Sequence, residues 1–114
     1  MNSKNYRALL AILSATMLFL AATGTSAAAE GTDHAQIVIK DFMFAPLTAT
    51  IKAGTTVTWT NKDDEPHTVT SDTALFRSGA LDTGEAYSFK FDHPGTYHFI
   101  CSIHKYMVGT IVVE

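Results

Sequence analysis

Apolar and polar residues alternate along most of the chain after residue 35, and this pattern restricts the possible folds more than any other feature. In TTVTWTN (55–61), Val57 and Trp59 fall on one face of a strand and three threonines on the other. Turn residues separate such segments, and no helical periodicity competes with them. The pattern predicts an all-β fold, a single antiparallel Greek-key β-sandwich. The other predicted strands are 36–40, 47–51, 67–71, 85–91, 96–101 and 108–114.

The N-terminal segment has a different character. Two basic residues precede a mostly apolar run at 8–22, and three alanines directly precede Glu30. A positive start, a short apolar run and a small-residue site predict a signal peptide at 1–29, cleaved on export to the periplasm. An uncleaved anchor is the alternative, although the run is short for a membrane span. The predicted domain is then 30–114, with no membrane insertion after cleavage.

The charge of residues 30–114 limits the partners that the domain can bind. This segment has six Lys and Arg against 11 Asp and Glu, so its formal net charge is −5. Such a balance argues against a nucleic-acid or anionic-membrane partner. Three of the acids, Asp63, Asp64 and Glu65, are adjacent and predict a solvated turn, or alternatively a site that attracts a basic partner.

Cys101 is the single cysteine of the chain, so no internal disulfide can form. An unpaired thiol in an oxidising compartment must be buried or bound to a ligand. Alternation along TYHFIC (96–101) places Cys101 on the core side with Phe99, and His98 on the opposite side. The predicted strand therefore delivers the thiol, and not His98, to the end of the sandwich.

The segment CSIHKYM (101–107) continues with His104 and Met107, each three residues after the previous one. His67 adds a second imidazole, which faces inward by the same alternation and begins a strand after a polar loop. Two imidazoles, one thiolate and a weak thioether are the ligands of a blue-copper electron-transfer site. Two histidines and a cysteine can also bind zinc, although a methionine is an unusual fourth ligand for zinc.

These residues stand within longer segments that resemble a known family. Residues 36–114 resemble the cupredoxins, most of all the amicyanin-like and plastocyanin-like small blue copper proteins. The segments that carry the resemblance are FMFAP, GTTVTWTN, EPHTVTS, GTYHFICSIHKYM and GTIVVE. The C-x2-H-x2-M spacing is that of the short amicyanin loop. The resemblance implies one type 1 copper ion with His67, Cys101 and His104 as equatorial ligands and Met107 as the axial ligand. It also implies a hydrogen bond from the Thr68 amide to the cysteine sulfur.

The chain departs from the family pattern at two places. Thr68 occupies a position where the family often has an Asn that ties two loops together, and we expect Thr68 and Ser102 to link them through their hydroxyls. Ile103 and Lys105 flank His104, where amicyanins carry proline. The redox potential and the partner surface are therefore expected to be particular to this chain.

The resemblance implies an electron carrier and not an enzyme. Redox protein partners, a donor and an acceptor, are expected to dock near His104 on a monomeric protein. A copper-delivery protein with the same ligands is the main alternative. A copper enzyme would need further metal centres and domains, and an adhesion-type sandwich would leave the ligand pattern to coincidence.

Overall fold

The structure is a computed structural model that describes residues 33–114 of the chain. The predicted signal peptide at 1–29 lies outside the described residues. Within 33–114 no helix is long and apolar enough to cross a membrane.

Within residues 33–114, eight strands build two four-stranded sheets, which confirms the predicted all-β sandwich. The first sheet has the order β2-β1-β4-β6 and the second the order β3-β8-β7-β5. The strands are β1 (His34–Lys40), β2 (Met43–Ala45), β3 (Thr48–Ile51), β4 (Thr55–Asn61), β5 (Thr70–Ser71), β6 (Ala86–Phe91), β7 (Gly95–Ile100) and β8 (Val108–Val113).

The pairing within the sheets is mixed, whereas the sequence pattern predicted an antiparallel sandwich. β1 runs parallel to β4, and β3 runs parallel to β8, while the other four pairs are antiparallel. The chain crosses between the sheets, so strands that are distant in sequence become neighbours and can run in the same direction. Alternation indicates which face of a sheet a residue occupies but not the direction of the neighbouring strand. The pattern therefore could not distinguish parallel from antiparallel pairing.

Trp59 is the centre of the core, as its alternation predicted. It is fully buried and packs against aromatic rings from both sheets and from the long connection between β5 and β6. Ring centroids of Phe99 and Phe76 lie 5.4 and 5.6 Å away. Aromatic contacts of this kind add to the stabilisation that burial of apolar surface provides. The core around Trp59 therefore includes Phe99 of β7, the strand that directly precedes Cys101.

The segment predicted as a strand at 67–71 is mostly irregular. Only Thr70 and Ser71 form β5, while His67 makes an isolated antiparallel bridge with Leu81. Two backbone hydrogen bonds, Leu81 N to His67 O and His67 N to Leu81 O, form this bridge at 2.7 and 3.1 Å. His67 is therefore held by the irregular segment 72–84 and not by a regular sheet.

Gly109 makes room for the ring of Phe99, its partner across the β7–β8 pair. A Cβ at position 109 would lie 2.3 Å from the Phe99 ring. The ring cannot turn aside easily, because it is fully buried with the Phe44 ring at a centroid distance of 4.8 Å. Only glycine fits at this position without moving the core.

Replacing Gly109 by Ala is expected to lower the free energy of unfolding by about 1–3 kcal/mol, because it overpacks the core. Urea denaturation of the metal-free protein measures this loss. Val108→Ala in the same strand is the control, since Val108 is 53% exposed and its truncation should change stability by about 0.5 kcal/mol or less. Equal stability of the two variants would show that Phe99 yields to the added methyl group.

Candidate metal centre

Three predicted ligands meet at one end of the sandwich. Cys101 Sγ lies 3.8 Å from His67 Nδ1 and 3.9 Å from His104 Nδ1, and the three donor atoms are all within 4.8 Å of one another. His67 and Cys101 are fully buried, while His104 is partly exposed. His67 comes from the loop after β4, and the other two come from the segment after β7. The fold thus brings together residues that are more than thirty positions apart.

The spacing of these donors fits a single metal ion. Zinc, which illustrates the reach of a small divalent ion, binds nitrogen at about 2.0–2.1 Å and thiolate at about 2.3 Å. The two sulfur–nitrogen distances, 3.8 and 3.9 Å, are shorter than the sum of one such nitrogen bond and one such thiolate bond, so an ion between the atoms can contact the sulfur and either nitrogen. Two imidazoles with one thiolate also match the equatorial donors of blue copper centres. The site therefore suits a metal that accepts both soft sulfur and nitrogen donors.

Met107 is buried at the base of the same loop, with 2% of its surface exposed. Its backbone closes the segment: Cys101 N donates to Met107 O at 3.0 Å, and Met107 N donates to His104 O at 2.9 Å. The three residues at three-residue spacing are thus parts of one hydrogen-bonded turn. This turn explains why the sequence repeats a potential ligand at every third position.

Thr68 links the His67 loop to the loop that carries Cys101. Its amide donates to Cys101 Sγ at 3.3 Å, which confirms the bond that the resemblance implied. Its hydroxyl accepts from the Ser102 amide at 2.7 Å and lies 2.8 Å from the Ser102 hydroxyl. The predicted hydroxyl link between Thr68 and Ser102 is confirmed. One threonine therefore holds both loops and also hydrogen-bonds the thiol sulfur.

Asn61 shapes the loop that presents His67. This buried residue ends β4, and its Nδ2 donates to Glu65 O and Leu81 O at 2.8 and 2.9 Å. Its Oδ1 accepts from the Asp63 amide at 2.9 Å. A side-chain amide can supply these donors and this acceptor together, and it satisfies backbone groups that would otherwise be buried without partners. The loop at 62–66 consequently folds back over the end of the sheet.

Asp63 is not part of a solvated turn, and this corrects the sequence-based interpretation of the acidic triplet. Its side chain is buried, with Oδ2 2.8 Å from His67 Nε2. Its two oxygens also accept from the amides of Asp41 and Phe42 at 2.7 and 3.0 Å. Asp64 and Glu65 are exposed, as predicted. The position of Asp63 within a run of three acidic residues did not indicate that its side chain contacts His67.

Asp63 is ionised at neutral pH. Burial by itself raises the pKa of the Asp63 carboxyl, but hydrogen bonds from Phe42, Asp41 and His67 outweigh burial, so the pKa lies below its ordinary value of 3.8. Lys40 Nζ lies 3.8 Å from the carboxylate, although more than half of the lysine side chain is exposed. The nearest cation is thus well hydrated, and a negative charge remains next to His67.

Phe42 covers the donor cluster from a two-residue turn between β1 and β2. Asp41 and Phe42 both have positive φ, at 52° and 57°. Two such residues in a hairpin turn are usually Asn-Gly or Asp-Gly, and a phenylalanine there is uncommon. The ring of Phe42 contacts His67 and His104 edge-on, with centroid distances of 5.1 and 5.0 Å. The turn therefore places an aromatic lid against both imidazoles, which the sequence did not indicate.

The remaining histidines lie on the surface, as predicted. His34 and His93 are exposed, and His98 is exposed with Nδ1 3.2 Å from the Thr110 hydroxyl. Met43, predicted to pack in the core or at its rim, is at the rim and 51% exposed. Strand alternation thus correctly placed His98 on the exposed face, opposite the buried Cys101.

Comparison with known proteins places this arrangement in a family. A family model described as a cupredoxin-like domain matches residues 10–113. Amicyanin-alpha of Methylorubrum extorquens is 34% identical over 124 aligned positions, covering 100% of both chains. Plastocyanin of Scenedesmus fuscus is 42% identical over 85 positions, covering 63% of this chain and 87% of the relative. The structure of an amicyanin mutant with Cu(I) is similar with a TM-score of 0.67 and 29% identity, covering 71% of this chain and 82% of the other.

The chain belongs to the cupredoxin family. The predicted resemblance to amicyanins and plastocyanins, which are blue copper electron carriers, is confirmed. The amicyanin mutant structure holds Cu(I), and the donor set of this cupredoxin suits the same metal.

The surface around His104 is mostly apolar. Ile103, Tyr106 and Val108 are 49, 71 and 53% exposed, and the neighbouring Lys105 is exposed as well. A groove of about 300 Å³ continues this surface, and its lining includes Phe42, Met43, Leu47, Tyr106, Met107 and Val108. Ile103 and Lys105, which stand where amicyanins carry proline, are therefore both exposed to solvent.

Thr68→Val is expected to destabilise the cupredoxin by about 0.5–1.5 kcal/mol, because it removes the hydroxyl that accepts from the partly buried amide of Ser102. The substitution keeps the shape of the side chain and the amide bond to Cys101. Urea denaturation measures the loss, with Thr56→Val on β4 as the control. A Thr68→Val variant as stable as that control would mean that the hydroxyl link does not hold the loops together.

Proposed function

We propose that this cupredoxin is a periplasmic carrier of single electrons that holds one type 1 copper ion. His67, Cys101 and His104 are the equatorial ligands in this proposal, and Met107 is the axial ligand. The convergence of three donor atoms within 4.8 Å carries the proposal. Bound copper would supply the one-electron couple between Cu(II) and Cu(I).

The residues around the donors serve electron transfer in three ways. Burial of His67 and Cys101 excludes water, which limits the solvent rearrangement that accompanies a change of charge. Hydrogen bonds that the Thr68 amide and hydroxyl donate to Cys101 Sγ hold the thiolate in place. The strands β4 and β7, which precede the two donor segments, would limit the movement of the donors when bound copper changes its charge.

His104 is the proposed route for electrons to the surface. It is the partly exposed member of the donor set, and exposed apolar residues surround it. Apolar surface with few charges suits brief contact with a protein partner. A donor and an acceptor protein would dock here in turn on a monomeric carrier, each reaching the site through the imidazole edge.

Addition of Cu(II) to the purified protein is expected to produce an intense blue thiolate band and narrow copper hyperfine splitting. Cys101→Ser should abolish both signals, because serine cannot supply the thiolate. Visible and electron-paramagnetic-resonance spectra measure the result, and His98→Gln is the matched control that should stay blue. A colourless wild-type protein, or a blue Cys101→Ser variant, would overturn the ligand assignment.

A redox titration and a copper dissociation rate distinguish the carrier from the copper-delivery alternative. We expect reversible cycling with slow copper release in both oxidation states. Rapid transfer of copper to a competing chelator from one oxidation state would favour the delivery function, which uses the same ligands.

We also propose that residues 1–29 are a signal peptide and that 30–114 form the exported domain. The family match begins at residue 10, within this segment, so the match does not itself mark a boundary. N-terminal sequencing of the protein recovered from a periplasmic fraction is expected to begin at Glu30. Protein that retains the segment 8–22 in the membrane fraction would instead indicate an uncleaved anchor.

A further inference from the structure

The contacts of Asp63 give His67 a defined orientation. A histidine has two ring nitrogens, and the one that carries the proton is set by its hydrogen-bond partner. His67 Nε2 faces the Asp63 carboxylate at 2.8 Å, and Nδ1 faces Cys101 Sγ. A carboxylate accepts only, so Nε2 carries the hydrogen and Nδ1 keeps its lone pair toward the thiol.

The same carboxylate stabilises the turn that carries Phe42. Its oxygens accept from two successive amides in the left-handed region, those of Asp41 and Phe42. Successive backbone amides form a concave site that binds anions. The uncommon backbone of the turn is therefore stabilised by the group that orients His67, and the Phe42 ring is held against the ligand histidines.

We propose that Asp63 is a positioning residue of the copper centre that stabilises Cu(II) over Cu(I). This proposal rests on the proposed function, because it requires His67 to be a copper ligand. A carboxylate on the far nitrogen of a metal-bound histidine fixes the ring and makes it a stronger electron donor. Its negative charge, only partly offset by exposed Lys40, favours the more highly charged ion.

The adjacent Asp64 offers a matched control. Asp64 is exposed and neighbours Asp63 in the same loop, so Asp64→Asn removes an equal charge without touching His67. Surface charges are strongly screened by solvent, whereas a buried charge is screened much less. Any difference in copper affinity or midpoint potential between Asp63→Asn and Asp64→Asn therefore reports the buried contact with His67 and not the net charge of the loop.

The Asp63→Asn variant could lose stability, since an amide cannot accept from all three donors at once. A comparison of two further variants separates this loss of stability from the effect on the copper centre. Phe42→Gly turns the hairpin sequence into Asp-Gly, a preferred dipeptide for this turn. The turn then no longer depends on the carboxylate, and the double variant Asp63→Asn with Phe42→Gly can be compared with Phe42→Gly alone.

The test measures Cu(II) and Cu(I) affinities and the midpoint potential of the wild type and these variants. Asp63→Asn is expected to weaken Cu(II) binding by about 10–100-fold, to weaken Cu(I) binding less, and to raise the midpoint potential. Asp64→Asn should leave all three values near those of the wild type. The double variant should show the same upward shift relative to Phe42→Gly.

Two results would overturn the inference while the proposed function stands. One is a blue wild-type protein in which Asp63→Asn and Asp64→Asn have the same potential. The other is an equal loss of Cu(II) and Cu(I) affinity with an unchanged potential, because a purely structural role weakens both states alike. A wild-type protein that binds copper without a blue band would overturn the proposed function and this inference together.

Discussion

The donor cluster depends on the connection between two loops that come from different parts of the sandwich. His67 follows β4 and Cys101 follows β7, so their separation is not fixed by any single strand. Thr68 fixes it through its amide bond to the sulfur and its hydroxyl contacts with Ser102. Because metal–donor bonds tolerate errors of only a few tenths of an ångström, this short link between the loops is a condition for the whole site.

The core beneath the site supplies the rigidity that the loops lack. Phe99 lies two residues before Cys101 and is packed between aromatic rings, with Gly109 opposite it. A change in the position of Phe99 would move the end of β7 and the thiol with it. The close packing of an aromatic core resists such movement, since interiors are packed as densely as organic crystals. Packing thus determines where the sulfur lies as well as how stable the protein is.

The sequence predicted the strands and the inward direction of Cys101 well because both follow from alternation along single segments. Val57 and Trp59 were placed in the core, and Cys101 and His98 on opposite faces, from neighbours within a few residues. Asp63 could not be placed in this way, because its burial depends on amides 21 and 22 residues earlier. The direction of the neighbouring strands could not be predicted for a similar reason, because it depends on which strand, distant in sequence, pairs with a given strand.

Two features that are unfavourable by themselves lie next to the donor cluster. A buried carboxylate and a phenylalanine with positive φ would each be unfavourable alone. In this structure each of these residues is stabilised by a contact with another residue next to the donor cluster. The carboxylate accepts from the Phe42 amide, Phe42 covers the two imidazoles, and the thiol accepts from Thr68.

This mutual dependence explains why the group is confined to one end of an otherwise regular sandwich. Removing one member would leave a buried polar group or a strained turn without compensation, so the members are expected to persist together. It also limits how far the donors can relax when the charge at the site changes. A site whose polar groups are already paired in one arrangement has little to rearrange, which is the property that rapid electron exchange requires.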